Sequence, residues 1–575
     1  MIKIFRYLKP FTGLVLLVVF FLIVQSLAEL YLPTLMSEVV NNGMLKGDLS
    51  YIWQYGVYML LVTGLSGLCS VVGAYYSAQA SVGFGRDLRD KVFTQVEGYS
   101  LHEIDKVGTA SLITRTTNDI TQVQTVTIMM MRFMITAPIM SIGGIVMALS
   151  KDRQLTTVLA VVIPAMVLVM LIVAKVVIPL FQSLQKKLDS VNLVLRENLT
   201  GIRVIRAFNR LRKERVRFDK ANGELTDLSI KVNKIMAIVQ PIMIIFMNAT
   251  TLAIVWFGGL RIGNGNLQIG DMMAFLQYAM QIMFSIIMVA IMFIMVPRAQ
   301  ASAVRINEVL DMHPEIVDKD TPVKPGGLKG YVEFKDVTFS YPGAKLPAIS
   351  HVSFAAKPGE VTAIIGSTGS GKSSLINLIP RFYDVDSGAV LVDGIDVRDM
   401  EQKVLRKKIG FVPQTAVLFS GTIAENIRYS KEDATDEEVA HAADVAQALE
   451  FITEIPEGFA SPIAQGGTNV SGGQKQRLSI ARALVSCPEI YIFDDSFSAL
   501  DFKTDAKLRA ALKKETSLST VIIVAQRVST IMEADKIIVL DDGEVVGMGT
   551  HKELLHTNKV YYEIVTSQLS EEEIA

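Results

Sequence analysis

The chain has 575 residues, of which half are hydrophobic and only 20% are charged, and its mean hydropathy is +0.38. This composition excludes a disordered or collagen-like chain, and two cysteines cannot build a disulfide scaffold. Residues 1–310 carry 29 Lys and Arg against 18 Asp and Glu, whereas the remainder carries 27 against 39. Because the basic residues of the first part lie between apolar runs, the charge gives no support for nucleic-acid binding.

Six apolar stretches are each long enough to cross ~30 Å of hydrocarbon as a helix. The predicted spans are 14–35, 55–76, 133–149, 158–180, 237–258 and 272–296. The first stretch has an alternative interpretation as a secretory signal, because basic residues precede it and Ser26-Leu27-Ala28 is typical of a cleavage site. Apolar character continues beyond Ala28 and five further spans follow, which favours a membrane helix.

Lys and Arg residues concentrate in alternate connections between the spans. Segments 1–10, 79–127 and 181–235 hold 21 of them, whereas 36–52, 151–157 and 259–270 hold 4. Since basic residues stay on the cytoplasmic side during insertion, this distribution predicts that both termini are cytoplasmic. The two long inner segments have helical patterning, so we expect the spans to continue as helices beyond the bilayer, with turns near 102–108 and 199–206.

Polar side chains inside spans are candidate functional groups because their burial in lipid is costly. An amide in mid-span either bonds to a neighbouring helix or faces a watery cavity. The amides in question are Gln25, Gln240, Asn248, Gln277 and Gln281. Asp271, at the start of the sixth span, is predicted to cap the helix dipole. Methionines are dense in the third and sixth spans, which favours core packing, while an adaptable binding pocket stays open as a hypothesis.

A connector rich in Pro and Gly, residues 311–328, separates the membrane domain (1–310) from an α/β domain (329–575). A buried strand at 361–365 leads into a phosphate-binding loop and then into a helix that begins near Ser374. The loop reads Gly366-Ser367-Thr368-Gly369-Ser370-Gly371-Lys372-Ser373. Glycines let backbone N–H groups wrap phosphates, Lys372 reaches the β and γ phosphates, and the Ser373 hydroxyl can ligate Mg²⁺.

A second apolar strand, 490–493, ends in Asp494 and Asp495. In domains of this kind the first carboxylate holds Mg²⁺. Between the two strands lies a glycine-containing segment ahead of a helix predicted to begin at Lys475. It reads Ser471-Gly472-Gly473-Gln474. Alone, this segment is typical of a turn before a helix, but its position between the loop and the acidic strand indicates a second anion cradle whose phosphate comes from elsewhere.

With these motifs the sequence resembles the ATP-binding-cassette (ABC) transporters, specifically exporter half-transporters with a membrane domain fused ahead of the nucleotide domain. The resemblance covers nearly the whole chain and includes segments 4–10 and 196–208. It implies an all-α six-helix membrane domain followed by an α/β P-loop domain. It also implies a dimer that sandwiches two ATP molecules with Mg²⁺, each between one chain's phosphate loop and the other chain's signature, while the hairpin tips act as coupling helices.

The resemblance assigns roles to residues outside the phosphate loop. Tyr341 would stack on adenine, and Gln414 would link Mg²⁺ to the membrane domain. Ser374, which directly follows the phosphate loop, is also a predicted ATP-binding residue. Asp501 matches the D-loop of the family. Residues 471–474, Ser471, Gly472, Gly473 and Gln474, would be the signature that acts on the partner chain's ATP. The predicted Mg²⁺ ligands are Ser373, Gln414 and Asp494.

Three departures from the family pattern stand out. Asp495 occupies the position of the catalytic Glu, so its carboxylate is one methylene, roughly 1.5 Å, short, and misplacement of about 1 Å can cost ~10²-fold in rate. Gln526 occupies the position of the switch His, and an amide cannot carry the charge of an imidazolium. Residues 464–467 read Ala-Gln-Gly-Gly where related exporters often have Gly-Glu-Arg-Gly.

An intact phosphate loop and signature occur together with changes at the catalytic Glu and switch His positions. This combination resembles the degenerate subunit, the one with the poorly hydrolysing ATP site, of a heterodimeric bacterial multidrug exporter in the plasma membrane. The resulting hypothesis is an ATP-driven efflux subunit that moves amphiphilic compounds across the bilayer and pairs with a homologous half-transporter carrying the Glu and the His. Two alternatives remain: a homodimeric exporter in which Asp495 suffices, and an ATP-gated channel or regulatory receptor on the same frame. The six spans exclude a soluble nucleotide enzyme, and no nucleic-acid partner is expected.

Overall fold

The computed structural model describes residues 1–323 and 326–569, without the side chains of Gln182, Phe293 and Ile294. Pro325 of the predicted connector and the last six residues of the predicted α/β domain lie outside the described residues. The chain divides into two compact units. The first comprises Met1–Glu97 and Gly108–Met312, and the second comprises Gly98–Val107 and the chain from His313 onward.

Helices account for nearly all of residues 1–311. Their bounds are α1 (Ile2–Phe5), α2 (Thr12–Glu38), α3 (Leu49–Glu97), α4 (Leu101–Val107), α5 (Thr109–Thr114), α6 (Ile120–Lys151), α7 (Thr156–Thr200), α8 (Ile202–Ala207), α9 (Leu211–Gly263) and α10 (Ile269–Asp311). Short 3₁₀ or π segments lie at Arg6–Phe11, Val39–Met44 and Arg115–Asp119.

Within the described residues, six helical stretches are long and apolar enough to cross a membrane. They are Ile2–Met44, Leu49–Glu97, Thr109–Lys151, Thr156–Thr200, Leu211–Gly263 and Ile269–Asp311. This confirms the six-helix membrane domain. The longest helix, α9, has 53 residues and is therefore about 80 Å long at 1.5 Å per residue. That length far exceeds the thickness of the hydrocarbon, so the helices do extend beyond it, as predicted.

The turns predicted near 102–108 and 199–206 are in fact largely short helices, α4 and α8. Breaks on either side reverse the chain instead: Gly108 has φ +81°, a conformation that glycine adopts without strain. The carboxylate of Glu103 accepts the backbone N–H of Ser100 at 2.7 Å, which satisfies a free donor at the start of α4. Helix therefore forms at the tip, where local patterning alone predicts a turn and the family resemblance implies a helix.

Apolar and methionine side chains fill the contacts between the membrane helices. Helix α2 packs on α3, α6 on α10, and α7 on α9. Met166, Met243 and Met283 are buried together in one cluster, which supports the packing interpretation for these methionines. Asp271 lies in the first turn of α10, and its Oδ1 is 2.7 Å from Lys151 Nζ and accepts the Ser37 hydroxyl at 2.7 Å.

Short strands and helices alternate in the second unit. The strands are β1 (Val332–Phe339), β2 (Ile349–Ala356), β3 (Val361–Gly366), β4 (Ser387–Val392), β5 (Ile395–Asp396), β6 (Ile409–Val412), β7 (Gly421–Thr422), β8 (Pro462–Ile463), β9 (Ile490–Asp494), β10 (Thr520–Val524), β11 (Lys536–Asp541) and β12 (Glu544–Gly549). The helices are α11 (Lys372–Asn377), α12 (Gln402–Lys407), α13 (Ile423–Arg428), α14 (Asp436–Val445), α15 (Leu449–Glu454), α16 (Gly472–Leu484), α17 (Phe502–Glu515), α18 (Val528–Ile531), α19 (His551–Thr557) and α20 (Lys559–Thr566).

In the described part of this unit, the strands form a sheet of order β12-β11-β3-β10-β9-β6 and a sheet of order β2-β1-β4-β5, with β7 and β8 paired separately. Strands β11, β3, β10, β9 and β6 run parallel to one another. Every residue of β9 and β10 is buried, as expected for central parallel strands covered on both faces. This arrangement confirms the α/β domain.

Candidate functional site

Polar residues follow the carboxyl ends of four neighbouring parallel strands. The phosphate loop continues from β3, Asp495 follows β9, Gln414 lies two residues after β6, and Gln526 lies two residues after β10. Parallel strands end at the same edge of a sheet, and ligands of open α/β sheets bind outside that edge. Sheet order therefore brings together residues that are as much as 160 positions apart in the chain.

The phosphate loop curves around the ammonium group of Lys372. Its Nζ donates to the carbonyl oxygens of Gly366 at 2.9 Å and Ser367 at 2.7 Å. Gly371 has φ +94°, and a Cβ there would lie 2.6 Å from the Ala348 carbonyl, so only glycine fits. Burial lowers the pKa of Lys372, although the neighbouring aspartates oppose that shift. The loop thus holds a cation and free backbone donors at the start of α11.

Two predicted Mg²⁺ ligands meet directly. The Ser373 hydroxyl donates to Asp494 Oδ1 at 3.2 Å, and burial raises the pKa of Asp494. In the described part of the chain, no group of three or more His, Cys, Asp or Glu residues could hold a metal ion. A hydroxyl and a carboxylate fit Mg²⁺, which prefers oxygen and is usually held by one or two carboxylates with phosphate oxygens and water.

The carboxylate of Asp495 is held by two amides. Its Oδ2 accepts Gln526 Nε2 at 3.0 Å and Gln414 Nε2 at 3.4 Å. Asp495 is only 9% exposed, and its backbone has φ +46°, a conformation that costs free energy for a residue other than glycine. Burial raises the pKa of this carboxyl. Asp495 is thus bonded to both Gln526 and Gln414.

Tyr341 connects the nucleotide site to the short helix α4. Its hydroxyl is 2.9 Å from the Ser374 hydroxyl, and its ring packs edge-on against Tyr383 with centroids 5.3 Å apart. Asp105 of α4 lies close enough to the Tyr383 hydroxyl to influence its pKa. Burial, with added contributions from Tyr341 and Asp105, raises the pKa of Tyr383 to about 12. Sequence reasoning missed Tyr383, since no local motif marks it.

The glycine-containing segment caps α16 and remains accessible. Ser471 Oγ accepts the backbone N–H of Gln474 at 3.3 Å, while Gln474 Oε1 accepts that of Ser471 at 2.8 Å. This capping box starts the helix at Gly472, three residues before the predicted Lys475. Ser471 and Gly472 are exposed, and no atom of the described residues lies within 4 Å of a Cβ at Gly472. The segment can therefore receive an anion from outside this chain.

The segments that flank this helix are ordered by local bonds. Asp501 caps α17 by accepting the Thr504 N–H at 3.1 Å, and this bond lowers the pKa of Asp501. Lys475 Nζ donates to the Gly466 carbonyl at 2.9 Å, within the segment that departs from the family pattern. A lysine of α16 thus anchors this segment through a backbone carbonyl.

Sequence profiles identify both units. The profile of the ABC transporter transmembrane region matches residues 15–286, and the ABC transporter profile matches residues 349–498. An uncharacterized ABC transporter ATP-binding protein of Mycobacterium tuberculosis is 42% identical over 567 residues, 98% of this chain and 97% of the relative. The chain belongs to the ABC transporter family.

Other similar proteins place it within the family. The ABC transporter ATP-binding protein YfiB of Bacillus subtilis is 40% identical over 99% of both chains. An ATP-dependent lipid A-core flippase of Syntrophus aciditrophicus is 31% identical over 90% of this chain and 86% of its own. A bacterial Atm1-family ABC exporter with ATP bound has a TM-score of 0.81 at 25% identity and covers 98% of this chain and 99% of its own. This ABC transporter is therefore an exporter with fused membrane and ATP-binding domains, and it is a multi-pass membrane protein.

Proposed function

We propose that this ABC exporter is the degenerate subunit of a two-chain assembly. Its own phosphate loop holds ATP and turns it over slowly, and its exposed signature completes the hydrolytic site of a homologous half-transporter that carries Glu and His. The observation that supports this proposal most strongly is the environment of Asp495. Its carboxylate accepts hydrogen bonds from both Gln526 and Gln414. The side chain is buried and is one methylene shorter than that of Glu.

Binding and hydrolysis make different demands on this site. Binding needs the glycine loop, Lys372 and the oxygen ligands Ser373 and Asp494, which lie together. Mg²⁺, when held by these oxygens, neutralises charge on the phosphates. Hydrolysis also needs a base within reach of an attacking water. Asp495 is short for that task, and Gln526 holds it without contributing a positive charge.

Catalysis on the partner's ATP is proposed to use the start of α16. Ser471 and Gly472 are exposed at a helix N-terminus, where backbone N–H groups and the helix dipole favour an anion. The replacements of Glu by Asp495 and of His by Gln526 do not alter the signature segment 471–474. The chain would then act on its neighbour's nucleotide better than on its own.

Transport is proposed to follow from closure of the two nucleotide domains around ATP. ATP favours the closed state because the sandwich contacts exist only there. Closure would turn the membrane cavity outward and release an amphiphilic compound, with both termini in the cytoplasm. The similarity to lipid A-core flippases supports a lipid-like or otherwise amphiphilic cargo.

The test is the ATPase activity of the full-length chain purified alone and then with its partner. We expect slow turnover alone, no further loss in Asp495→Ala, and fast turnover with the partner that falls at least tenfold when this chain carries Ser471→Arg. Brisk turnover of the chain alone that disappears in Asp495→Ala would instead establish a homodimeric exporter. Lys372→Ala, which removes the phosphate-binding ammonium, serves as the reference for loss of ATP binding at the chain's own site.

A further inference from the structure

A carboxylate lies inside the first apolar span. Glu29 sits in α2 between Leu22 and Leu35, nine residues before the helix ends at Glu38. A charged side chain within a span is costly and faces the helix bundle or a watery cavity. The amides Gln25 and Gln281 stand out in the sequence, and the structure adds Glu29 as the group that joins them.

Pro33 creates a free carbonyl on this turn of α2. Because proline has no N–H, the Glu29 carbonyl loses its usual donor four residues later in the helix. Gln281 Nε2 of α10 donates to that carbonyl at 3.2 Å, and the Tyr278 hydroxyl donates to the next carbonyl, Leu30, at 3.1 Å. Helix α10 therefore satisfies the carbonyl that the proline frees and adds a donor to the next carbonyl.

The Glu29 carboxylate has neutral neighbours. Its Oε1 accepts Gln25 Nε2 at 2.9 Å and the Ser66 hydroxyl of α3 at 3.3 Å. Among the described residues, no Lys, Arg or His forms an ion pair with Glu29. Helices α2 and α3 thus contact the carboxylate without supplying a cation, while α10 contacts the backbone carbonyl of the same residue.

Two buried acceptors complete the cluster. Gln25 Oε1 and Gln281 Oε1 have almost no solvent-accessible surface and have no hydrogen-bond partner among the described residues. Burying an acceptor without a donor is unfavourable, so each such atom in a native protein needs an explanation. No described donor reaches either oxygen, so the cluster is short of donors.

A ligand that matches these groups donates several hydrogen bonds and carries a positive charge. A protonated primary amine offers three N–H donors on a compact cation, as a lysine side chain does. A quaternary ammonium has charge without donors, and an alcohol has one donor without charge. An alkyl chain on the amine would suit the surrounding apolar span.

We propose that Glu29, Gln25 and Gln281 form an intramembrane binding site for the protonated primary amine of an amphiphilic molecule. The assignment of a bound amine as transported cargo rests on the proposed export function, whereas its binding does not. Glu38 offers a matched control on the same helix, since its carboxylate accepts Asn42 Nδ2 at 2.6 Å and the Tyr51 hydroxyl at 3.2 Å.

The experiment measures equilibrium binding of labelled dodecylamine and dodecanol to the full-length chain in lipid nanodiscs at pH 7.5, with empty nanodiscs subtracted. We expect Glu29→Gln to weaken dodecylamine binding about tenfold and to leave dodecanol binding unchanged, and Glu38→Gln to change neither. Equal binding of dodecylamine to the unaltered chain and to Glu29→Gln, or equal loss of both ligands, would overturn the proposal.

A second measurement does not depend on the folding of a variant. A lipid-soluble carbodiimide is added to the unaltered chain with dodecylamine, and the amide product is located by peptide mass spectrometry. We expect the dodecylamide on Glu29 in excess over Glu38, and its absence from Glu29 would refute the site. If amine binds as expected but vesicles do not accumulate it with ATP, the export function fails while the binding site stands.

Discussion

At the residue scale, the bonding of Asp495 makes a prediction about restored chemistry. Asp495→Glu together with Gln526→His adds the missing methylene and an imidazole at the switch position. We expect ATP turnover of the chain at its own site to rise at least tenfold, because correcting a displacement of about 1 Å can recover up to ~10²-fold in rate. The measurement is steady-state phosphate release by the full-length chain.

The control for this gain is the same double variant with Lys372→Ala. This triple variant loses the ammonium inside the phosphate loop and should return to background. A double variant that binds ATP but hydrolyses it no faster than the unaltered chain would show that Asp495 and Gln526 do not limit turnover.

Burial of Asp495 also predicts a pH-dependent stability. Because burial raises the pKa of this carboxyl in the folded chain, the folded state binds the proton more tightly than the unfolded state. The charged group therefore costs stability at neutral pH, and that cost disappears as the pH falls below its ordinary pKa. We expect Asp495→Asn to raise Tm at pH 7.5 in the absence of nucleotide and to raise it less at pH 5.

Thermal unfolding of the nucleotide domain in detergent checks this prediction. Ser498→Ala is a suitable comparison, because Ser498 donates to the backbone carbonyl of Asp495 at 2.9 Å and adds no charge. A gain in Tm for Asp495→Asn that stays constant between the two pH values would contradict the account.

The sequence identified Asp495 and Gln526 as departures, but it did not predict that they bond to each other. They lie 31 positions apart, and their contact depends on β9 and β10 being adjacent and parallel. Gln414 reaches the same carboxylate because β6 is the other neighbour of β9. Sequence motifs therefore identify which residues belong to the site. The hydrogen bonds between those residues depend on the order of the strands, which is set by long-range packing.

At the element scale, the capping box of α16 predicts separable effects on stability and catalysis. Ser471→Ala removes an N-cap and should cost about 1 kcal/mol of stability. Thr435→Ala removes the same kind of cap from α14, where Thr435 Oγ1 accepts the Glu438 N–H at 3.3 Å. We expect similar losses of stability, but only Ser471→Ala should lower the ATPase of the two-chain assembly.

The two variants are compared by thermal unfolding and by ATPase in the presence of the partner. Equal ATPase for both variants would mean that the start of α16 stabilises the fold without taking part in hydrolysis.

The long helices were predictable because their apolar runs and helical periodicity are local signals. The short helices α4 and α8 have no such local signal: glycines mark their segments as turns, and only the family resemblance implied coupling helices there. The start of α16 lies three residues earlier than predicted because a side chain caps it. Glu29 had a signal in the sequence, a carboxylate four residues before Pro33 within an apolar run. Its partners became visible only when α3 and α10 were placed beside α2.

At the scale of the whole molecule, the proximity of the Tyr383 hydroxyl to Asp105 predicts a coupling defect when that hydroxyl is removed. Asp105 lies on α4, which the chain connects directly to the spanning helices α3 and, through α5, α6. We expect Tyr383→Phe to keep ATP binding, because Tyr341 and the phosphate loop are unchanged, and to reduce the stimulation of ATPase by amphiphilic compounds several-fold.

Tyr561→Phe is the matched control, since it also removes one tyrosine hydroxyl contact, to His551 Nδ1 at 2.7 Å, on a helix near the C-terminus. ATP affinity and stimulated ATPase are measured for both variants. Unchanged stimulation in Tyr383→Phe, or equal reduction in both, would contradict a role for this contact in coupling.

Division into a membrane domain and a nucleotide domain was the safest large-scale prediction, because hydropathy and residue periodicity change sharply after the connector. Dependence on a second chain has no comparable local signal. It follows from a phosphate loop that is intact and from the Asp495 and Gln526 that replace the Glu and the His needed for hydrolysis.

The most direct test of that dependence is the chemical identity of the nucleotide that the full-length chain retains. The chain is incubated alone with Mg²⁺ and ATP labelled on both the adenine and the γ phosphate, and rapidly freed of unbound nucleotide. We expect most of the retained nucleotide to be intact ATP for many minutes. The Lys372→Ala variant should retain almost no nucleotide. Rapid conversion of the retained nucleotide to ADP, abolished by Asp495→Ala, would contradict a degenerate site.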